Sequence, residues 1–193
     1  MSRERPEFEQ KLVDVARVVR VVAGGRRFRF RTCVVIGNKK GKVGVGIAKG
    51  ADVTGAVEKA VARAKKKLVQ VPIVDGTIPH QIQVKYKSAN VLLKPARQGA
   101  GIIAGGSVRA VMELAGIRDI TSKMLGSANK VSNVQACILA FKKLRKPEEV
   151  AEARGKKVEE LVLYKKVTKV TEVLKVKEPK AKPKKKVETI EKK

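Results

Sequence analysis

The chain has 193 residues, and 45 Lys and Arg against 18 Asp and Glu give it a formal net charge of +27. Its hydrophobic content of 43% is enough for a packed core, so wholesale disorder is not expected. Because no apolar run approaches about 20 residues and the N-terminus is polar, we expect neither a membrane span nor a secretory signal. Two cysteines and one histidine are too few for a disulfide framework, a zinc site or histidine-based catalysis. A compact cytoplasmic protein this basic is expected to bind a polyanion, most commonly nucleic acid.

The first part of the chain, residues 8–72, has the pattern of a βββα module. Apolar and polar residues alternate in three stretches, which predicts antiparallel strands at 13–22, 27–36 and 42–48. An apolar stripe at helical spacing from Val53 to Leu68 predicts a helix, with Asp52 or Thr54 as its N-cap. Two prolines and an Asp-Gly pair predict a linker at 73–80.

The middle strand predicts a phosphate-binding surface. Its alternation places Phe28 and Phe30 on the core face, and the open face then holds Arg27, Arg29, Arg31, Cys33 and Val35. The helix adds a basic ridge one turn apart, formed by Lys59, Arg63 and Lys66 or Lys67. The alternative is a merely solubilising surface, but the charge of +27 favours phosphate contacts. With both strand phenylalanines assigned to the core, we expect shape and phosphate recognition rather than base stacking.

The second part, residues 81–150, predicts a βαβα module, which makes the fold class α+β with two small modules. Strands are predicted at 90–96 and 117–124, and helices at 108–115 and 133–144. Ser107 is the predicted cap of the first helix, and Gly116 is predicted to end it. The basic extension at 151–193 is expected to be largely disordered in isolation, although residues 158–176 also fit a strand or a basic helix.

The glycine-rich loop between Gly99 and Gly106 leaves three hypotheses open. It could hold a nucleotide phosphate in an enzyme, hold an RNA phosphate, or permit tight packing. The Walker lysine pattern is missing, and only Glu113 and Asp119 lie near enough in sequence to hold Mg²⁺, so nucleotide use is the least favoured. His80 and Cys137 are expected to be structural, and we expect no catalytic residues, metal or cofactor.

Three stretches together identify a family resemblance. They read RVVRVVAGGRRFRFRTCVVIGNKKGKVGVGIAKG, then VPIVDGTIPH, then LLKPARQGAGIIAGGSVRAVMELAGIRDITSKMLGSANKVSNVQA. These resemble the small-subunit ribosomal protein S5 family (uS5), bacterial type, from about Phe8 to Arg145. The resemblance implies an N-terminal module similar to a double-stranded RNA-binding domain. It also implies a C-terminal fold shared with small-molecule kinases, which would account for the nucleotide-like loop without implying activity.

The resemblance also implies a function in translation. Family members lie on the small ribosomal subunit where its body meets its head. They bind 16S ribosomal RNA and contact the ribosomal proteins S4 and S8. They also line the messenger RNA entry path and help set decoding accuracy. It adds expected RNA contacts around the first hairpin loop and the glycine-rich loop: Arg20, Gly24, Gly25, Arg26, Gln98, Gly105, Gly106 and Arg109. Members often carry lysine where this chain has Ala23, so no spectinomycin response is carried over. The competing hypotheses are a nucleotide-using enzyme and a free-standing double-stranded RNA-binding protein.

Overall fold

A computed structural model describes residues 7–155 of the chain, and two four-stranded sheets organise them. The prediction of a disordered extension at 151–193, like that of a strand or basic helix at 158–176, lies outside the described residues from 156 onward. It was wrong for residues 151–154, which belong to the helix Pro147–Arg154, where Ala151 is buried. The contact pattern groups the chain up to Lys146 into one compact unit and assigns the helix Pro147–Arg154 to a second. None of the helices within residues 7–155 is long and apolar enough to cross a membrane.

The first sheet is antiparallel and confirms the predicted βββα order. Its strands, in spatial as in chain order, are β1 (Glu9–Val22), β2 (Gly25–Gly37), β3 (Lys42–Gly50) and β4 (Leu68–Gln70). Helix α1 (Val53–Lys65) begins at the predicted cap Asp52, whose carboxylate accepts a hydrogen bond from the Thr54 amide. The prediction that the helix reaches Leu68 was wrong, because Leu68 pairs with Gly44 in β4.

The second sheet contains the predicted βαβ unit. Its strands are β5 (Ile82–Tyr86), β6 (Ala89–Pro95), β7 (Ile102–Ile103) and β8 (Ile120–Met124), in the order β5-β6-β8-β7. Only β7 and β8 are parallel, and α2 (Gly106–Ala115) connects them. Helix α3 (Lys130–Lys143) follows, with Asn129 as its cap, and α4 (Pro147–Arg154) comes last.

The predicted C-terminal end of α2 is confirmed, but its predicted N-cap is not. The helix ends as predicted at Gly116, whose φ of 87° is a left-handed conformation that favours glycine. The prediction that Ser107 caps the helix was wrong: the cap position is Gly105, and Ser107 lies inside the first turn. Its side chain is buried, with Oγ 3.8 Å from Sδ of Met124, because this end of α2 packs on β8.

One hydrophobic core joins the two sheets. Cys33 and Val35 of β2 belong to the same buried cluster as Val111 and Leu114 of α2. The prediction of an open face at Cys33 and Val35 was therefore wrong, because the second module covers this half of the strand. The other side of the sheet packs on α1. Burial, the largest cause, raises the pKa of the Cys33 thiol to about 11.

Candidate nucleic-acid interface

The β1–β2 hairpin projects beyond the rest of the first sheet. Strand β3 accompanies β2 only as far as Phe30, which lies opposite Gly50. From there the two strands continue alone to the turn at Ala23 and Gly24, and we call residues 17–30 the ribbon. The ribbon is exposed over most of its surface, so its side chains are presented to a partner rather than to the core.

The ribbon is strongly basic. It contains five arginines and no Asp or Glu: Arg17, Arg20, Arg26, Arg27 and Arg29. The strand register places Arg20 directly opposite Arg27, and Arg29 follows on the same face. Like charges directly opposite each other destabilise a strand pair, so this face is poised to bind an anion that lies between them. A phosphate backbone supplies such anions at regular spacing.

Arg31 stands apart from the other strand arginines. Its Nη2 donates to Oδ2 of Asp14 at 3.2 Å, and Lys130 Nζ lies 3.7 Å from the other oxygen of the same carboxylate. The Arg31 side chain is only 34% exposed, and its Nε is buried without a protein partner. Arg31 therefore holds the base of the ribbon, where β1 meets α3, and its charge is partly neutralised within the protein.

We expect Asp14→Ala to lower the free energy of unfolding by about 1–2 kcal/mol, because it leaves the half-buried Arg31 guanidinium without its counter-charge. Urea unfolding measures this change, provided that the dependence of the unfolding free energy on urea concentration is the same in the variant and the unaltered chain. The matched control is Glu9→Ala, which removes an exposed ion pair between Glu9 and Lys39. That control is expected to change stability by at most about 0.5 kcal/mol. Equal losses in the two variants would contradict the proposed role of Asp14.

The basic ridge of α1 is present, but the structure separates it from the arginine face of the ribbon. Lys59, Arg63 and Lys66 are exposed, and the Arg63 guanidinium donates to the Ile47 carbonyl at 2.7 Å. Helix α1 packs on the strand face that contains Val34 and Ile36. The ridge of α1 and the arginines Arg20, Arg27 and Arg29 thus form two basic surfaces on opposite faces of the first sheet.

The residues predicted as RNA contacts in and beside the glycine-rich loop differ in their exposure. Gln98 and Gly106 are exposed, whereas Gly105 is half-buried and a Cβ there would overlap the Met124 side chain. This close approach supports the packing hypothesis at Gly105. Arg109 is exposed but donates to Glu113 at 3.0 Å, one helical turn away, so its charge is partly compensated.

Both carboxylates considered for Mg²⁺ are occupied by protein groups. Glu113 accepts a hydrogen bond from Lys11 at 2.6 Å, the largest cause of the lowered pKa of this carboxyl. Asp119 is buried and accepts from the Gly101 amide at 2.8 Å. Within residues 7–155, His, Cys, Asp and Glu form no group of three that could hold a metal ion. The two carboxylates considered for Mg²⁺ thus bind Lys11 and the Gly101 amide within the protein.

The sequence analysis missed one feature of the ribbon. The Arg17 guanidinium lies 3.6 Å from the ring centroid of Phe28, whose side chain is 45% exposed. The assignment of Phe28 to the core was wrong, because Phe28 lies on the part of the hairpin that extends beyond β3, whereas α1 packs further along β2, at Val34 and Ile36. The signal was available in the lengths of the apolar alternations, since the first two strands have more residues than the third.

Comparison with protein families gives two matches. Residues 8–72 match the model described as ribosomal protein S5, N-terminal domain. Residues 84–154 match the model described as ribosomal protein S5, C-terminal domain. The two models match in the expected order and together span more than half of the chain, including both sheets.

Proposed function

This chain belongs to the ribosomal protein S5 family, a family of the small ribosomal subunit, and we propose that it binds 16S ribosomal RNA mainly through the ribbon. The observation that carries the proposal is that the ribbon contains five arginines and no carboxylate, and that Arg20 lies directly opposite Arg27. The role is structural and without turnover: the protein neutralises phosphates and holds RNA segments in one arrangement.

The energetics of such binding come largely from released counterions. Each phosphate neutralised by Lys or Arg releases condensed ions, so affinity falls steeply as salt rises. The ridge of Lys59, Arg63 and Lys66 offers a second phosphate-binding surface on the opposite side of the sheet. Two basic surfaces on one sheet suit a position between RNA segments.

We further propose a role for this protein in the arrangement of the subunit's body and head. Because one core joins both sheets, the ribbon and the glycine-rich loop are carried by a single packed unit. A unit of this kind suits a protein that stabilises the body–head arrangement and contributes to translational accuracy. Contacts with ribosomal proteins S4 and S8, and a place beside the messenger RNA entry path, are proposed from family membership.

A competition experiment tests the proposal. Labelled 16S ribosomal RNA is bound to the full chain and then challenged with unlabelled 16S RNA or with generic duplex RNA of equal nucleotide mass. We expect 16S RNA to compete at least about tenfold better at physiological salt, since a built site adds defined contacts to the general electrostatic attraction. Equal competition by the generic duplex would contradict 16S recognition and favour a free-standing double-stranded RNA-binding protein.

A further inference from the structure

We propose that Arg17 and Phe28 form a stacking site for one unpaired nucleobase on the second face of the ribbon. This inference rests on the proposed function and adds to it a kind of contact that phosphate neutralisation does not provide. The site is a surface rather than a cavity, and its ligand class is a base that has left its helix, as in a bulge or loop.

The strand register places the two side chains on one face. Val19 lies directly opposite Phe28, and Arg17 lies opposite Phe30, so Arg17 and Phe28 are diagonal neighbours. The guanidinium lies over one side of the ring at 3.6 Å from the centroid. A guanidinium is planar and stacks on aromatic rings, so its outward side can accept a second flat group.

The surroundings of this pair are apolar and exposed. Val19 is 48% exposed and Val21 is 76% exposed, and the register places both on the same face as Phe28. Helix α1 packs on the first sheet mainly at β2 and β3, whose pairing ends at Phe30. Contiguous exposed apolar side chains of this kind mark interaction surfaces.

The charge of the ribbon indicates which partner this surface fits. Arg26 shares the face with Phe28, and the opposite face holds the cations Arg20, Arg27 and Arg29. An apolar protein surface would remove water from these charges without replacing it. A nucleotide instead offers a flat base to the Arg17–Phe28 pair and a phosphate to the neighbouring arginines. The ribbon would thus hold the RNA backbone on one face and a base on the other.

The chain contains no tryptophan, so Phe28→Trp gives the full-length protein a single tryptophan, at the proposed site, that can be excited selectively over its two tyrosines. The two probes are an RNA hairpin with one bulged adenine and the same hairpin without the bulge. We expect the bulged hairpin to quench the Trp emission strongly and the fully paired one to quench it weakly, because only an extruded base can stack.

Affinity measurements on the same two hairpins separate stacking from general apolar contact. Phe28→Leu is expected to weaken binding of the bulged hairpin on the order of tenfold and to leave the paired one unchanged, since a base–aromatic stack contributes an effect of this size. Phe28→Tyr should retain the preference for the bulge. Leu125→Ala, at an exposed apolar residue outside the ribbon, is the control and should leave the preference for the bulged hairpin unchanged.

The outcomes keep this site and the proposed function apart. Normal 16S binding by Phe28→Leu, with an unchanged preference for the bulged hairpin, overturns the stacking site and leaves the proposed function intact. Failure of the unaltered chain to bind 16S RNA overturns both. Normal RNA binding by Phe28→Leu, combined with loss of co-sedimentation with the small subunit, identifies the surface as a protein contact and also overturns the proposal.

Discussion

Replacing four arginines of the ribbon by alanine is expected to lower the affinity for 16S ribosomal RNA on the order of a thousandfold at about 0.1 M salt. The four are Arg20, Arg26, Arg27 and Arg29. If each neutralises one phosphate of a duplex, the slope of log affinity against log salt becomes shallower by about 3–4. Because about 0.1 M lies one tenfold step below 1 M salt, this change in slope corresponds to a loss of about 3–4 powers of ten in affinity at about 0.1 M.

Filter binding across a salt series measures both the affinity and the slope. The matched control removes the same charge from exposed lysines elsewhere, in a variant with Lys85, Lys87, Lys142 and Lys143 replaced by alanine. The control is expected to change affinity by less than about tenfold, since long-range attraction is largely screened beyond about 10 Å at this salt. An equal loss in the control would mean that overall charge, and not the ribbon, carries the binding.

The second large effect is expected at Gly46, in β3. A Cβ there would overlap the carbonyl group of Ala60, which belongs to the backbone of α1 and has little room to move. We therefore expect Gly46→Val to lower the free energy of unfolding by about 3 kcal/mol or more, because α1 must lift from the sheet. Thermal and urea unfolding followed by circular dichroism measure this loss.

Gly55→Ala in α1 is the control for Gly46→Val. A Cβ at Gly55 meets open space, so replacing this helical glycine is expected to stabilise the protein by about 0.5–1 kcal/mol. The two substitutions both add side-chain atoms at glycines of the α1–β3 layer and are expected to have opposite signs. A Gly46→Val variant as stable as the unaltered chain would contradict the close packing of α1 on β3.

Local patterns predicted much of the fold. The alternation around Phe30 predicted β2, and the Asp52–Thr54 pair predicted the start of α1, because each depends on residues adjacent in sequence. The errors occurred where the environment of a residue depends on distant segments. Cys33 is covered by the second module, and Phe28 is exposed because α1 packs further along β2, at Val34 and Ile36. Alternation gives the two faces of a strand, but it does not tell which of them another element covers.

The candidate site was predictable to a similar extent. The ribbon arginines could be found because they lie on one hairpin, and the pairing of Arg109 with Glu113 follows from their i,i+4 spacing. The ion pair of Arg31 with Asp14, which Lys130 also approaches, could not be predicted in this way. It needs Asp14 from the neighbouring strand and Lys130 from α3, which the fold alone brings together.

Sedimentation of a cell lysate through a sucrose gradient, at low and at high magnesium, tests the central claim most directly. The chain is expected to co-migrate with the small ribosomal subunit at both concentrations, and the variant with Arg20, Arg26, Arg27 and Arg29 replaced by alanine is expected to shift toward the top. A chain found mainly in the free fractions, with small subunits that lack it, would contradict the assignment of this protein as a structural RNA-binding component of that subunit.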